Sequence, residues 1–152
     1  MTKTYKELVE NNQLIRPQGY ERESSDCTIR AFALVSNIPY EEVHKEFEKK
    51  GRKRGRGFHI VTTKLKNKRS FKYKREKMDI KKLCKHFGLE CKQIARSGTV
   101  NRLIKKYPIG NIYCVKRGHC FGIINGNVTD GTSKASLLHN AWLIKQELGE
   151  KE

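Results

Sequence analysis

The sequence predicts an α+β fold in which N-terminal helices pack on a C-terminal antiparallel sheet. Three observations carry that expectation. Apolar residues recur at helical spacing between positions 24 and 47, they alternate at period two from position 111 onward, and Asn125-Gly126 places a strong hairpin signal inside the alternating stretch. Helices followed by hairpin-connected strands is the α+β order. The chain carries no internal repeat.

Residues 4–10 read as a short helix with Thr4 as its N-cap, and Pro17 and Gly19 mark an extended or turning stretch after it. From Ser24 on, Ile29, Phe32, Ala33, Val35 and Ser36 fall near i, i+3, i+4, i+6 and i+7, so one broad face of a helix is expected to be buried. Ser24, Ser25 or Asp26 can cap it. Asn37-Ile38-Pro39 ends that helix, and Pro39 lies near the first turn of the next, where Glu41 and Glu42 come early and Tyr40, Val43 and Phe47 share a face. Gly51 stops it. Residues 52–57 are too charged and too rich in glycine to pack, so a solvated loop is expected there.

Residues 58–67 fit either a short helix or a strand, and Phe71 and Tyr73, alternating with Lys72 and Lys74, resemble an edge strand with a basic outer face. Residues 78–88 predict a helix with Asp79 early, Ile80, Leu83, Cys84 and Phe87 on one face, and Gly88 as the stop. A strand at 91–95 and a helix at 99–107, capped by Thr99 and ended by Pro108, come next. Strands are expected at 111–115, 119–124 and 128–130, and a final one within 139–145.

At 152 residues the chain is expected to be a single domain, 1–152, large enough to bury roughly 70% of its unfolded surface. No apolar run approaches a membrane span, and residues 1–6 lack the apolar core of a signal peptide, so a soluble cytoplasmic protein without membrane contact is expected. Five cysteines without such a signal read as free thiols. The net charge of +17 is concentrated: fourteen Lys or Arg and a single acid, Glu76, lie between Lys49 and Lys77. That basic insertion, about 49–77, makes Arg52, Lys53, Arg54, Arg56, Lys64, Lys66, Lys68, Arg69, Lys72, Lys74 and Arg75 candidate polyanion-binding residues. Interleaved Phe58, His59, Phe71 and Tyr73 suit phosphate contacts with base stacking, and an acidic protein partner fits as well. Binding of nucleic acid would be largely independent of sequence and steeply dependent on salt.

Cys27 stands where a polar segment becomes an amphipathic helix, and the first turn of a helix favours a thiolate through its unpaired N–H groups and dipole. His119 lies on the first strand of the Asn125-Gly126 hairpin and Asp130 on its second. With a two-residue turn, Ile124 pairs with Asn127, which leaves Asp130 diagonal to His119 on one face. A thiol nucleophile, a base within reach and an acid to orient it is the arrangement that nucleophilic catalysis needs. Gly118 and Gly122 leave room beside the histidine for a helix end or substrate. The bland alternative is that a cysteine at the start of an apolar helix simply packs; the combination of all three residues argues against it. Cys84, His86 and Cys91, or Cys114 and Cys120, invite a zinc reading, but the chain has no Cys-x-x-Cys pair, and neither metal nor cofactor is expected. His44, His59, His86 and His139 read as surface or half-buried residues.

Asp26-Cys27-Thr28-Ile29-Arg30-Ala31-Phe32-Ala33, the stretch from Ile38 to Val43, the glycine- and arginine-rich stretch from Gly51 to Gly57, and Gly118-His119 ahead of an Asn-Gly hairpin ending in Asp130 together resemble small papain-like proteins of phage and bacterial genomes, related to the peptidase domains of bacteriocin exporters. The resemblance covers most of residues 20–145 and implies a papain-like fold with Cys27 as nucleophile, His119 as base and Asp130 as orienting acid. Papain-like enzymes usually carry an oxyanion-hole glutamine a few residues before the cysteine. Here Glu21 stands six before Cys27 and the nearest glutamine, Gln18, nine before, so Gln18 is the side-chain candidate and the Cys27 N–H a backbone one. The implied function is an intracellular peptidase or isopeptidase acting on a protein or peptide; the alternative is a catalytically weak papain-like fold used as a phage-type binding protein for a host protein or nucleic acid.

Overall fold

A computed structural model describes residues 9–10, 13–14, 18–20, 23–60 and 77–146. Among them are four helices and a five-stranded antiparallel sheet, an α+β arrangement. β1 (Val9–Glu10) pairs antiparallel with β2 (Gln13–Leu14), so Val9 and Glu10 are extended where a helix was expected.

α1 (Cys27–Ser36) is buried more completely than one face, because it lies between the sheet and the helix that follows it; Ala31 and Leu34 are covered along with Ile29, Phe32, Ala33 and Val35. It ends at Asn37, which adopts the left-handed conformation that asparagine tolerates well. α2 (Tyr40–Lys49) starts directly after Pro39, buries Tyr40, Val43, His44 and Phe47, and is followed by Gly51 at φ 112°.

β3 (His59–Ile60) and β4 (Lys77–Met78) form a short parallel pair. Met78 therefore belongs to a strand, and α3 (Ile80–His86) begins two residues later than the apolar pattern implies. The reason is local. Asp79 has an extended backbone, and its Oδ1 accepts from the N–H groups of Lys81 at 3.0 Å and Lys82 at 3.3 Å, which makes it the cap. The expected edge strand at 71–74 and most of the ambiguous stretch at 58–67 lie outside the described residues.

β5 (Leu89–Ala95) leads to α4 (Val100–Lys106), whose cap Thr99 accepts from the Arg102 N–H at 3.2 Å. β6 (Asn111–Lys116), β7 (His119–Ile124), β8 (Asn127–Val128) and β9 (Asn140–Gln146) complete the sheet in the order β5-β9-β6-β7-β8. β8 is shorter than expected and stops at Val128. The Asn125-Gly126 turn has positive φ at both residues and sets the anticipated register, Ile124 opposite Asn127 and Ile123 opposite Val128.

Alternation along the strands divides the core. Tyr113, Val115, Cys120, Trp142 and Ile144 face α1, α2 and α3, whereas Ile112, Cys114, Phe121, Ile123 and Ala141 face α4. Among the described residues no helix is long and apolar enough to cross a membrane.

Candidate active site

Gly122 is what allows α1 to lie against β7. A Cβ at that position would stand 2.6 Å from Val35 Cγ1, so any larger residue would push the helix off the strand. Asn111 Nδ2 donates to the Val35 carbonyl at 2.8 Å and Tyr113 Oη to the Thr28 carbonyl at 3.1 Å, which fixes both ends of the helix to β6. Gly118 has a different task from the one its position suggested, since its φ of 72° turns the chain between β6 and β7.

Held in this way, half-buried Cys27 meets the edge of β7, and the Cys120 N–H donates to Cys27 Sγ at 3.4 Å. The donor is exposed by the shortness of β8. Strand backbone groups point alternately to the two sides, so Cys120 N–H shares an edge with the Gly122 carbonyl. Thr129 N–H still reaches that carbonyl at 3.0 Å, but the ladder pairing of β8 covers only Ile123 and Ile124, and the stretch beside Cys120 is left to the helix end.

His119 Nε2 is 2.6 Å from Asp130 Oδ2, and the ring stacks on Phe121 at 6.0 Å between centroids. The other carboxylate oxygen accepts from the Thr132 N–H at 3.0 Å and from Thr132 Oγ1 at 2.6 Å. Nε2 is engaged by Asp130, and the imidazole and Cys27 lie close enough for each to shift the other's ionisation. The three residues singled out from the sequence are thus brought together.

Their electrostatics follow from these contacts. The Cys120 thiol is the largest influence on Cys27; with the His119 ring and the Cys120 amide it outweighs burial and lowers Cys27 to about 4. Asp130 first, and then the Cys27 sulfur, raise His119 to about 9 against the effect of burial. Burial opposes ionisation of Asp130, yet hydrogen bonds from His119 and Thr132 hold it at about 2. At neutral pH the favoured state is therefore thiolate, imidazolium and carboxylate. The Cys120 thiol stays protonated, pushed well above its ordinary value by its contact with Cys27 and by burial.

The segment entering the site is held by buried charge. Asp26 does not cap α1: its Oδ2 accepts from Tyr40 Oη at 2.5 Å and its Oδ1 pairs with Arg30 Nε at 3.1 Å. The first turn of the helix, beginning at Cys27, so carries no side-chain cap, which leaves it suited to an anionic oxygen. Ser25, just upstream, has φ 51°. Glu23 is buried and accepts from Arg52 Nη1 at 3.0 Å, Arg52 Nη2 at 3.1 Å and the Gly55 N–H at 2.7 Å, with His44 Nε2 at 2.5 Å.

Two expectations change here. Arg52 is not a surface cation for a polyanion, because its guanidinium is buried on Glu23 and on the Ser24 carbonyl, and residues 52–57 are an anchored loop. His44 is a core residue rather than a surface one. Lys53, Arg54 and Arg56 are exposed, and Arg54 lies 4.9 Å over the Tyr20 ring while donating to the Gly19 carbonyl at 3.1 Å. Lys64, Lys66, Lys68, Arg69, Lys72, Lys74 and Arg75 lie outside the described residues, as does Glu21. Gln18 is exposed in a turn.

Cys84 and Cys91 lie together on the α1 side of the sheet, but among the described residues no three His, Cys, Asp or Glu side chains gather as a metal site requires. Cys114 pairs across the sheet with Phe121 and faces α4, whereas Cys120 faces α1, and His86 Nε2 sits 3.2 Å from Glu46 Oε2. Sequence reasoning overlooked Cys120, Thr132 and Glu23 as parts of the site. The period-two rule puts Cys120 on the face opposite His119, and only the closeness of α1 makes that face matter. Thr132, two residues after the acid, had a readable signal, since hydroxyls at that offset commonly hydrogen-bond an aspartate. The chain matches no protein-family model, no curated protein and no solved structure.

Proposed function

We propose that the chain is a papain-like thiol hydrolase, a peptidase or isopeptidase acting by acyl transfer. The observation that carries this reading is the convergence on Cys27 Sγ of the Cys120 amide and the His119 ring, the latter held by Asp130. Cys27 thiolate attacks the substrate carbonyl carbon, and the carbon–oxygen π electrons move onto oxygen, which faces the uncapped first turn of α1. As the carbonyl re-forms, His119 gives its Nδ1 proton to the departing amine and the C–N bond breaks, leaving a thioester. His119, now neutral, takes a proton from water; the resulting hydroxide adds to the thioester, the C–S bond breaks, and acid product and thiolate are restored. Asp130 keeps the imidazole in the required orientation and stabilises its charged form.

p-Nitrophenyl acetate tests the reading without knowledge of the natural substrate. Acetylation confined to Cys27, with turnover lost in Cys27→Ala and in His119→Ala, is the expected result. Turnover retained in both variants would refute it. A second reading, a papain-like fold used chiefly to bind a host protein or nucleic acid, draws on the exposed Lys53, Arg54 and Arg56 and on Glu21 standing where such enzymes carry glutamine. It requires tight partner binding that is unchanged in Cys27→Ala and steeply salt-dependent.

A further inference from the structure

We infer that the substrate is an acidic polypeptide, its carboxylates held by two cationic walls that flank Cys27; this rests on the hydrolase reading above. One wall is the loop at 52–57. Arg52 and the Gly55 N–H both end on Glu23, four residues before the nucleophile, and Gly55 lies against Ser24, whose Oγ would be 3.7 Å from a Cβ placed there. Arg54 adds a dock on Tyr20 and Gly19. The loop is therefore a fixed neighbour of the chain running into Cys27, and it presents Lys53, Arg54 and Arg56 to solvent. Glu23 and Asp26, the carboxylates nearest in the described sequence, are buried and already paired.

The other wall borders the histidine. Lys116 stands directly opposite His119 in the register of β6 and β7, and its Nζ reaches Ser136 Oγ at 3.3 Å. Arg117 follows, exposed in the turn, and Lys134 is exposed in the loop that continues from Asp130. Asp130 itself is committed to His119 and Thr132. A substrate entering between the walls meets fixed positive charge and no free carboxylate among these residues. Like-signed charge on both sides of a site concentrates an oppositely charged ligand and raises its association rate by about 10- to 1000-fold. Polypeptide is favoured over nucleic acid because, among the described residues of this rim, the Tyr20 ring is covered by the Arg54 guanidinium and is closed to a stacking base.

The test uses two vinyl sulfone peptides of matched length, one with Glu and one with Lys on both sides of the electrophile, and measures Cys27 adduct formation by intact mass. Each rate is normalised to that of iodoacetamide on the same protein, which reports the thiolate alone. The Glu probe is expected to react at least about tenfold faster than the Lys probe at low salt, with the ratio approaching one near 1 M salt, where screening acts within about 3 Å. Arg54→Glu combined with Lys134→Glu should shrink the ratio at low salt. Equal normalised rates overturn the inference while selective iodoacetamide labelling of Cys27 leaves the hydrolase reading standing; unselective labelling overturns both. A single-stranded oligonucleotide that blocks both probes alike, with no preference for Glu, would assign the walls to nucleic acid and overturn the inference.

Discussion

Glu23→Gln attacks the anchor that joins the basic loop to the segment running into Cys27. In the folded chain the Glu23 carboxylate accepts from Arg52 Nη1 at 3.0 Å, Arg52 Nη2 at 3.1 Å and the Gly55 N–H at 2.7 Å. A glutamine keeps one acceptor oxygen, so its amide nitrogen must face a guanidinium or a backbone N–H, donor against donor, and Arg52 remains buried without a counter-charge. Breaking a buried ion pair from one side costs about 3–5 kcal/mol. A domain of this size is stable by only about 5–15 kcal/mol and shifts in Tm by roughly 2–4 °C per kcal/mol, so a fall of roughly 6–20 °C is expected. Urea unfolding followed by the fluorescence of Trp142, the single and buried tryptophan, measures it directly. The pH dependence has a definite sign. Burial opposes ionisation of Glu23, but Arg52, His44 and the backbone hold it far below its ordinary 4.5, so its contribution is complete above that value and is lost as pH falls through the folded one. The gap between wild type and variant should accordingly narrow in acid. A variant within about 0.5 kcal/mol of wild type at pH 7, with the same acid limb, would refute the anchoring role.

Gly122→Val should cost about 1–3 kcal/mol by overpacking against Val35 and, by lifting the helix, slow alkylation of Cys27; an unchanged urea midpoint would count against the packing argument. Asp130→Asn removes the largest cause of the raised His119 value, so the imidazole should titrate well below about 9, as read from its proton NMR shift. Cys120→Ala keeps the amide but deletes the thiol that most stabilises the Cys27 thiolate, so thiolate ultraviolet absorbance should be lost at a pH clearly above about 4 as the solution is acidified.

The sheet and the His119–Asp130 contact were legible because each rests on a rule that acts within one hairpin. Asn125-Gly126 sets the register of Ile123 and Ile124, the Thr129 N–H continues it to the Gly122 carbonyl, and Asp130, in the bend just past β8, meets His119 at 2.6 Å. Element boundaries were legible only where the cap's competing role was visible: Thr99 was recognised as a cap, whereas Asp79, read as the early part of a longer helix, in fact ends β4 and starts α3. What the sequence hid were partnerships across long separations. Arg52 sits in a run of cations and reads as one of them, although Glu23, 29 residues away, removes it from the surface. Asp26 reads as a cap, although Tyr40 and Arg30 claim its carboxylate. Cys120 reads as one free thiol among five until α1 lies against its amide, and that depends on the missing Cβ of Gly122.

The most direct test of the central claim is the rate of Cys27 alkylation by iodoacetamide as a function of pH, followed peptide by peptide against the other cysteines. The thiolate–imidazolium pair should give a labelling rate that rises near pH 4, holds through neutrality and changes again near pH 9, the two limbs belonging to the pair, and His119→Ala should move the acid limb upward. A Cys27 that labels only as pH approaches about 8.5, like an ordinary thiol, and is indifferent to His119→Ala would contradict the account.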